Sequence, residues 1–229
     1  MDILLIGGLW LDGSSVWDDV AAQLEAHGHH ALPVILPGQG DGNTSATLED
    51  QVATVLAAVD AAAGNPLVVG HSAACGLAWL AADARSGKVA KVALIGGFPS
   101  GDGKPYFEGL PIKDGALPFP GWTEFEGPDS VDLDDAAKEA FASAAIPVPA
   151  GVVNGVIRLT DERRYEVPVV VICPEFSPAQ AREWIDHGAI PELAKSKDVS
   201  FLNIDSGHWP MISAPADLAR LLSQAAEES

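Results

Sequence analysis

Apolar positions along the chain fall into short continuous runs, not alternating ones. The runs are Ile3–Ile6, Ala31–Leu36, Leu67–Val69, Val89–Ile95, Val167–Cys173 and Val199–Ile204. Unbroken apolar runs of this length suit strands covered on both faces, as in a parallel sheet. Between them lie Ala-rich amphipathic stretches at Val16–His27, Leu48–Ala63, Ala73–Arg85, Pro178–Ala194 and Pro215–Ala226. The alternation predicts an α/β architecture, a mostly parallel six-stranded sheet flanked by helices.

One region breaks the alternation. Phe98 to Tyr165 shows no clear strand, holds many prolines, and carries Tyr106, Phe107, Phe119, Trp122 and Phe125. A single helical pattern, about Leu133–Ala145, lies inside it. A connection this long in a compact domain is usually functional. Clustered aromatics suit a pocket cover better than an ordinary surface excursion. The expected organisation is a core of residues 1–97 and 166–229, with 98–165 inserted as a cap.

Composition narrows the classes. The 229 residues suit one domain with an insertion, and 48% are hydrophobic, enough for a sizeable core. No apolar run reaches the roughly 18 to 20 residues of a membrane span. The "MDILLIGG" start lacks a basic region and a cleavage site. A cytoplasmic protein is the expectation. The net charge of −19 repels phosphate backbones, so nucleic acid is not an expected partner. Cys75 and Cys173 read as buried free thiols, outside any Cys/His metal cluster.

Candidate chemistry starts at "PLVVGHSAACG", where a strand pattern ends in Gly70-His71-Ser72-Ala73-Ala74 and a helix pattern begins. A serine hydroxyl is a poor nucleophile. It needs a base, a group to orient that base, and donors for the oxyanion. Small residues around Ser72 suit a tight strand-to-helix turn that lifts it for attack. The base expected late in the chain is His208, in "NIDSGHWPM" after the last apolar run. The acid expected between them is Glu175 in "VICPEFSP", with Asp102 as runner-up; Asp205 instead reads as a loop stabiliser. The Ala73 amide and that of Leu9, after Gly7-Gly8, are the expected oxyanion donors. His27, His29 and His30 read as helix-end residues, His71 as packing, and His187 as an exposed helix end.

Four blocks in this order resemble the α/β-hydrolase superfamily: "IGGLWLDGSSVWDDVAAQLEAHGHHALPVILPGQGDG", "VVGHSAACG", "VPVVVICPEF" and "SGHWPMISAPADLARLL". They are most similar to the branch holding plant methylesterases, hydroxynitrile lyases and related bacterial hydrolases. Together they span nearly the whole chain outside the insertion. The departures are Gly7 where the family has His, Ala74 where it has Gly, and "CPEF" where it has Gly-x-x-Asp. The resemblance implies an α/β-hydrolase fold, with Ser72 as nucleophile, His208 as base, and Leu9 and Ala73 as oxyanion donors. It implies a hydrolase of a carboxylic ester or similar acyl substrate, with Trp10 and Trp209 shaping an apolar pocket. No cofactor and no metal is called for. The expected partner is a small apolar ester-like molecule, with no membrane, and a homodimer is left open. Two alternatives stand: lyase or C–C bond chemistry, expected to need a pocket lysine among Lys104, Lys113 and Lys138, and a non-catalytic ligand-binding protein.

Overall fold

A computed structural model describes residues 1–227. Six parallel strands form the sheet: β1 (Asp2–Ile6), β2 (His30–Pro33), β3 (Leu67–His71), β4 (Lys91–Ile95), β7 (Val169–Cys173) and β8 (Val199–Asn203), in the order β2-β1-β3-β4-β7-β8. All five pairings are parallel. The four central strands are buried nearly throughout, which is why their sequences carry no alternation. Their side chains feed two separate cores. Leu4, Ile6, Val68, Leu94 and Val171 face one side; Ile3, Leu5, Val69, Ile95 and Ile172 face the other.

Helices cover both sides. α2 (Leu48–Ala61) and α3 (Cys75–Ala84) join the first core. α1 (Asp18–Ala26) packs along α8 (Pro215–Glu227) on the second. α3 is buried from Cys75 to Asp83, and its run of Gly and Ala allows close approach to the sheet. α6 is shorter than the expected Pro178–Ala194: it spans Pro178–Asp186 and stops at Gly188, whose φ of +76° a helix cannot continue.

Residues 96–168 join β4 to β7. Contrary to the strandless reading, two short antiparallel strands lie here, β5 (Ala116–Leu117) and β6 (Val148–Pro149). α4 (Asp135–Ala144) and the single-turn α5 (Ala150–Val153) complete the region. An aromatic cluster fixes it to the core. Phe119 stacks on Phe125 and meets Trp10 edge-on, and Phe125, Trp122 and Phe141 all pack edge-on against Trp209. A buried ionic group ties its far end. Arg164 pairs with Asp83 of α3 at 3.2 Å and with Glu192 at 2.9 Å, and Glu192 also accepts from Trp79 Nε1. α7 (Pro210–Ser213) leads into α8. Both cysteines are free and buried. No helix among the described residues is long and apolar enough to cross a membrane.

Candidate active site

Ser72 stands where β3 turns into α3. Its φ is +55°, a left-handed backbone that non-glycine residues rarely adopt. A 3-10 turn, Ser72–Ala74, carries the chain into the helix. The turn is so tight that a Cβ at Gly70 would meet the Ala74 carbonyl carbon at 2.7 Å. The neighbours of β3 on either side, β1 and β4, both end in Ile-Gly-Gly. A Cβ at Gly8 would lie 3.1 Å from Ser72 Cβ, and one at Gly97 would lie 2.6 Å from Ser72 O. The second glycine of each pair, Gly8 and Gly97, thus lets its loop close on the serine. The sequence reading used the first pair and missed the second, although the repeated "IGG" was its signal.

His208 and Glu175 meet: Nδ1 lies 2.8 Å from Oε1, with both side chains about 15% exposed or less. Gly96, at φ +58°, makes room for them, since a Cβ there would lie 3.1 Å from His208 Nδ1. Asp102, the runner-up acid, is engaged elsewhere, accepting from the Leu159 amide at 2.9 Å. No hydrogen bond reaches Ser72 Oγ from the described residues. Ser72 and His208 instead border one cavity of about 270 Å³, together with Leu9, Trp10, Phe125 and Trp209. The amides of Leu9 and Ala73 donate to no backbone acceptor among the described residues.

His71 does more than fill space. It is 1% exposed, and its Nε2 donates to the His208 carbonyl at 2.8 Å. Burial, with the adjacent His208, pushes its pKa down to about 3, so the ring is neutral. Its Nδ1 has no partner and faces the Gly8 backbone. Two further contacts had no signal in the sequence: Asp129 O accepts from the His208 amide at 2.7 Å, and Asp132 accepts from the Gly207 amide at 2.7 Å. Both come from the 96–168 connection. Burial raises the Asp129 carboxyl above its ordinary value, against the attraction of His208.

A second cavity of about 990 Å³ also borders Ser72 and runs along Ala73, Gly76, Gly96, Gly97 and Tyr106. Phe107 and Glu108 border both cavities. Among the lysines considered for lyase chemistry, Lys104 is exposed at the rim of the larger cavity and Lys138 sits over Trp122. Lys113 is taken up in a backbone turn with Ala116. The "HGHH" histidines act locally: His27 caps α1, His29 bonds Ser223 at 2.8 Å, and His30 lies 3.3 Å from Asp2. His187 caps α6 and is exposed. No cluster of three or more His, Cys, Asp or Glu that could hold a metal is present among the described residues.

A family model described as alpha/beta hydrolase family matches residues 3–221. The chain belongs to the α/β-hydrolase family. Solved structures share the fold over nearly the full length of both chains. An extracellular α/β-hydrolase from a Paenibacillus species, described as sharing structural and functional homology with tobacco salicylic acid binding protein 2, has a TM-score of 0.79 at 18% identity, covering 98% of each chain. Tomato methylketone synthase I has 0.75 at 15%, covering 99% of this chain and 98% of the other. The methylesterase MES16 from Arabidopsis has 0.71 at 17%, covering 99% and 100%. No curated protein sequence matches the chain.

Proposed function

We propose that the protein hydrolyses a carboxylic ester or similar small acyl substrate through Ser72, His208 and Glu175. The observation that carries this reading is that His208, paired with Glu175, borders one cavity with a serine held at positive φ. Ser72 Oγ attacks the carbonyl carbon as His208 Nε2 takes its proton. Glu175 holds the imidazole with Nε2 unprotonated and stabilises the imidazolium that forms. The free amides of Leu9 and Ala73 receive the oxyanion, each such donor being worth about 10²–10³ in kcat. His208 then protonates the leaving alcohol, and water, activated by the same base, releases the acid.

His208 borders only the smaller cavity, so the leaving alcohol belongs there and the acyl group in the larger one. Residues 98–165 act as the cap, with Phe107 and Glu108 between the two compartments. The hydrolase and methylesterase among proteins of this fold support ester chemistry. The methylketone synthase shows that fold alone does not fix the reaction. A fluorophosphonate probe should label Ser72, and Ser72→Ala should abolish hydrolysis of short p-nitrophenyl esters. Unchanged hydrolysis in that variant rejects the mechanism.

A further inference from the structure

The wall of the larger cavity carries a tyrosine for whose hydroxyl neither the fold nor the proposed chemistry has a use. Tyr106 is only 6% exposed, and its hydroxyl bonds to nothing among the described residues. The hydroxyl is not sealed in the way His71 Nδ1 and Glu175 Oε2 are. The ring lies over the first turn of α3, 3.4 Å from where a Gly76 Cβ would be, on the wall that also carries Ser72 and Ala73. Its backbone is fixed. The Tyr106 amide donates to Gly155 O at 2.7 Å, the Ile157 amide donates to Lys104 O at 2.8 Å, and Pro105 pairs with Val156. Glu192, another buried polar residue on this wall, is already taken by Trp79, Arg164 and Tyr165. Lys104, Glu108 and Lys195 are exposed at the rim.

A hydroxyl at the end of an otherwise buried side chain, with no protein partner, is left to bond whatever fills the cavity beside it. A pocket that presents such a group discriminates against any ligand unable to satisfy it. We propose that Tyr106 is a specificity-determining residue that donates a hydrogen bond to an acceptor oxygen, a ketone or ether oxygen, on the acyl portion of the substrate several bonds from the ester carbonyl. The assignment to the acyl side rests on the hydrolase reading given above. The hydrogen bond itself does not.

The test is therefore made on binding. In Ser72→Ala, titration calorimetry compares methyl heptanoate with methyl 4-, 5- and 6-oxoheptanoate. The oxo position that reaches Tyr106 is expected to bind about tenfold more tightly than the plain ester, the worth of one well-made hydrogen bond. In Ser72→Ala/Tyr106→Phe that ratio should fall to about one. The melting temperature of Tyr106→Phe should stay level or rise, because no bond is lost in the free protein. If no oxo ester gains affinity, if the gain survives Tyr106→Phe, or if Tyr106→Phe lowers the melting temperature by several degrees, the assignment is overturned. Absence of ester hydrolysis by the wild type, with the binding ratio intact, overturns the hydrolase reading alone.

Discussion

Replacing Glu175 by Gln keeps the shape of the side chain and removes its charge. The carboxylate sits 2.8 Å from His208 Nδ1. With charge centres about 4 Å apart and an effective dielectric of about 20, its attraction for the imidazolium is about 4 kcal/mol. At 1.36 kcal/mol per factor of ten, losing it lowers kcat about 10³-fold. A glutamine can also donate to Nδ1 and select the wrong tautomer, which carries the loss toward about 10⁴. The carboxylate's second oxygen, Oε2, is buried without a hydrogen-bond partner, so no second hydrogen bond fixes the orientation of the glutamine. The assay is steady-state hydrolysis of p-nitrophenyl butyrate by Glu175→Gln and, as control, Asp102→Asn. The control should keep kcat within about threefold, since Asp102 serves Leu159 and not the imidazole. A Glu175→Gln enzyme within tenfold of wild type would refute the assignment of the acid.

Gly97→Ala places a methyl 2.6 Å from the Ser72 carbonyl; crowding of this kind costs about 1–3 kcal/mol. A lower melting temperature and a lower kcat are expected, read by calorimetry and ester hydrolysis. His71, held near pKa 3 when folded, binds a proton more readily in the unfolded chain, which titrates near 6.5. Its contribution to stability is therefore full above about pH 6.5 and is lost as pH falls toward 3, at up to about 1.4 kcal/mol per pH unit. Urea unfolding from pH 7 to 5 should show this slope, and His71→Gln should reduce it by one proton's share. Arg164→Met leaves Asp83 and Glu192 buried beside no cation, which costs about 3–5 kcal/mol. At about 2–4 °C per kcal/mol for a chain of this size, the melting temperature should drop by about 10 °C.

The sheet was legible because each central strand must be apolar on both faces, and the runs at Ile3–Ile6 and Val167–Cys173 mark it without reference to anything distant. Strand ends were less so: the run from Val89 begins two residues before β4, because burial extends past the ladder. The His208–Glu175 meeting was readable from strand-then-loop placement, as both residues leave the carboxyl ends of neighbouring strands β8 and β7. What was not legible depends on packing between remote segments. Nothing near His71 in sequence says that its ring supports the His208 backbone 137 residues away. Likewise Asp129 and Asp132 look like ordinary loop acids until the connection folds down on Gly207 and His208. The two-residue strands β5 and β6 are too short to leave a periodic trace.

His208 is held from three directions by chain that has little to do with its own strand: His71 beneath its carbonyl, Asp129 at its amide, and Asp132 at the preceding residue. Every one of these ties spans far along the sequence, and such contacts are slow to form because long loops must close first. Secondary structure can therefore return early during refolding while the imidazole is still out of place. The chemistry of the site becomes a clock for the last event of assembly, and regain of esterase activity should lag behind regain of the helical signal.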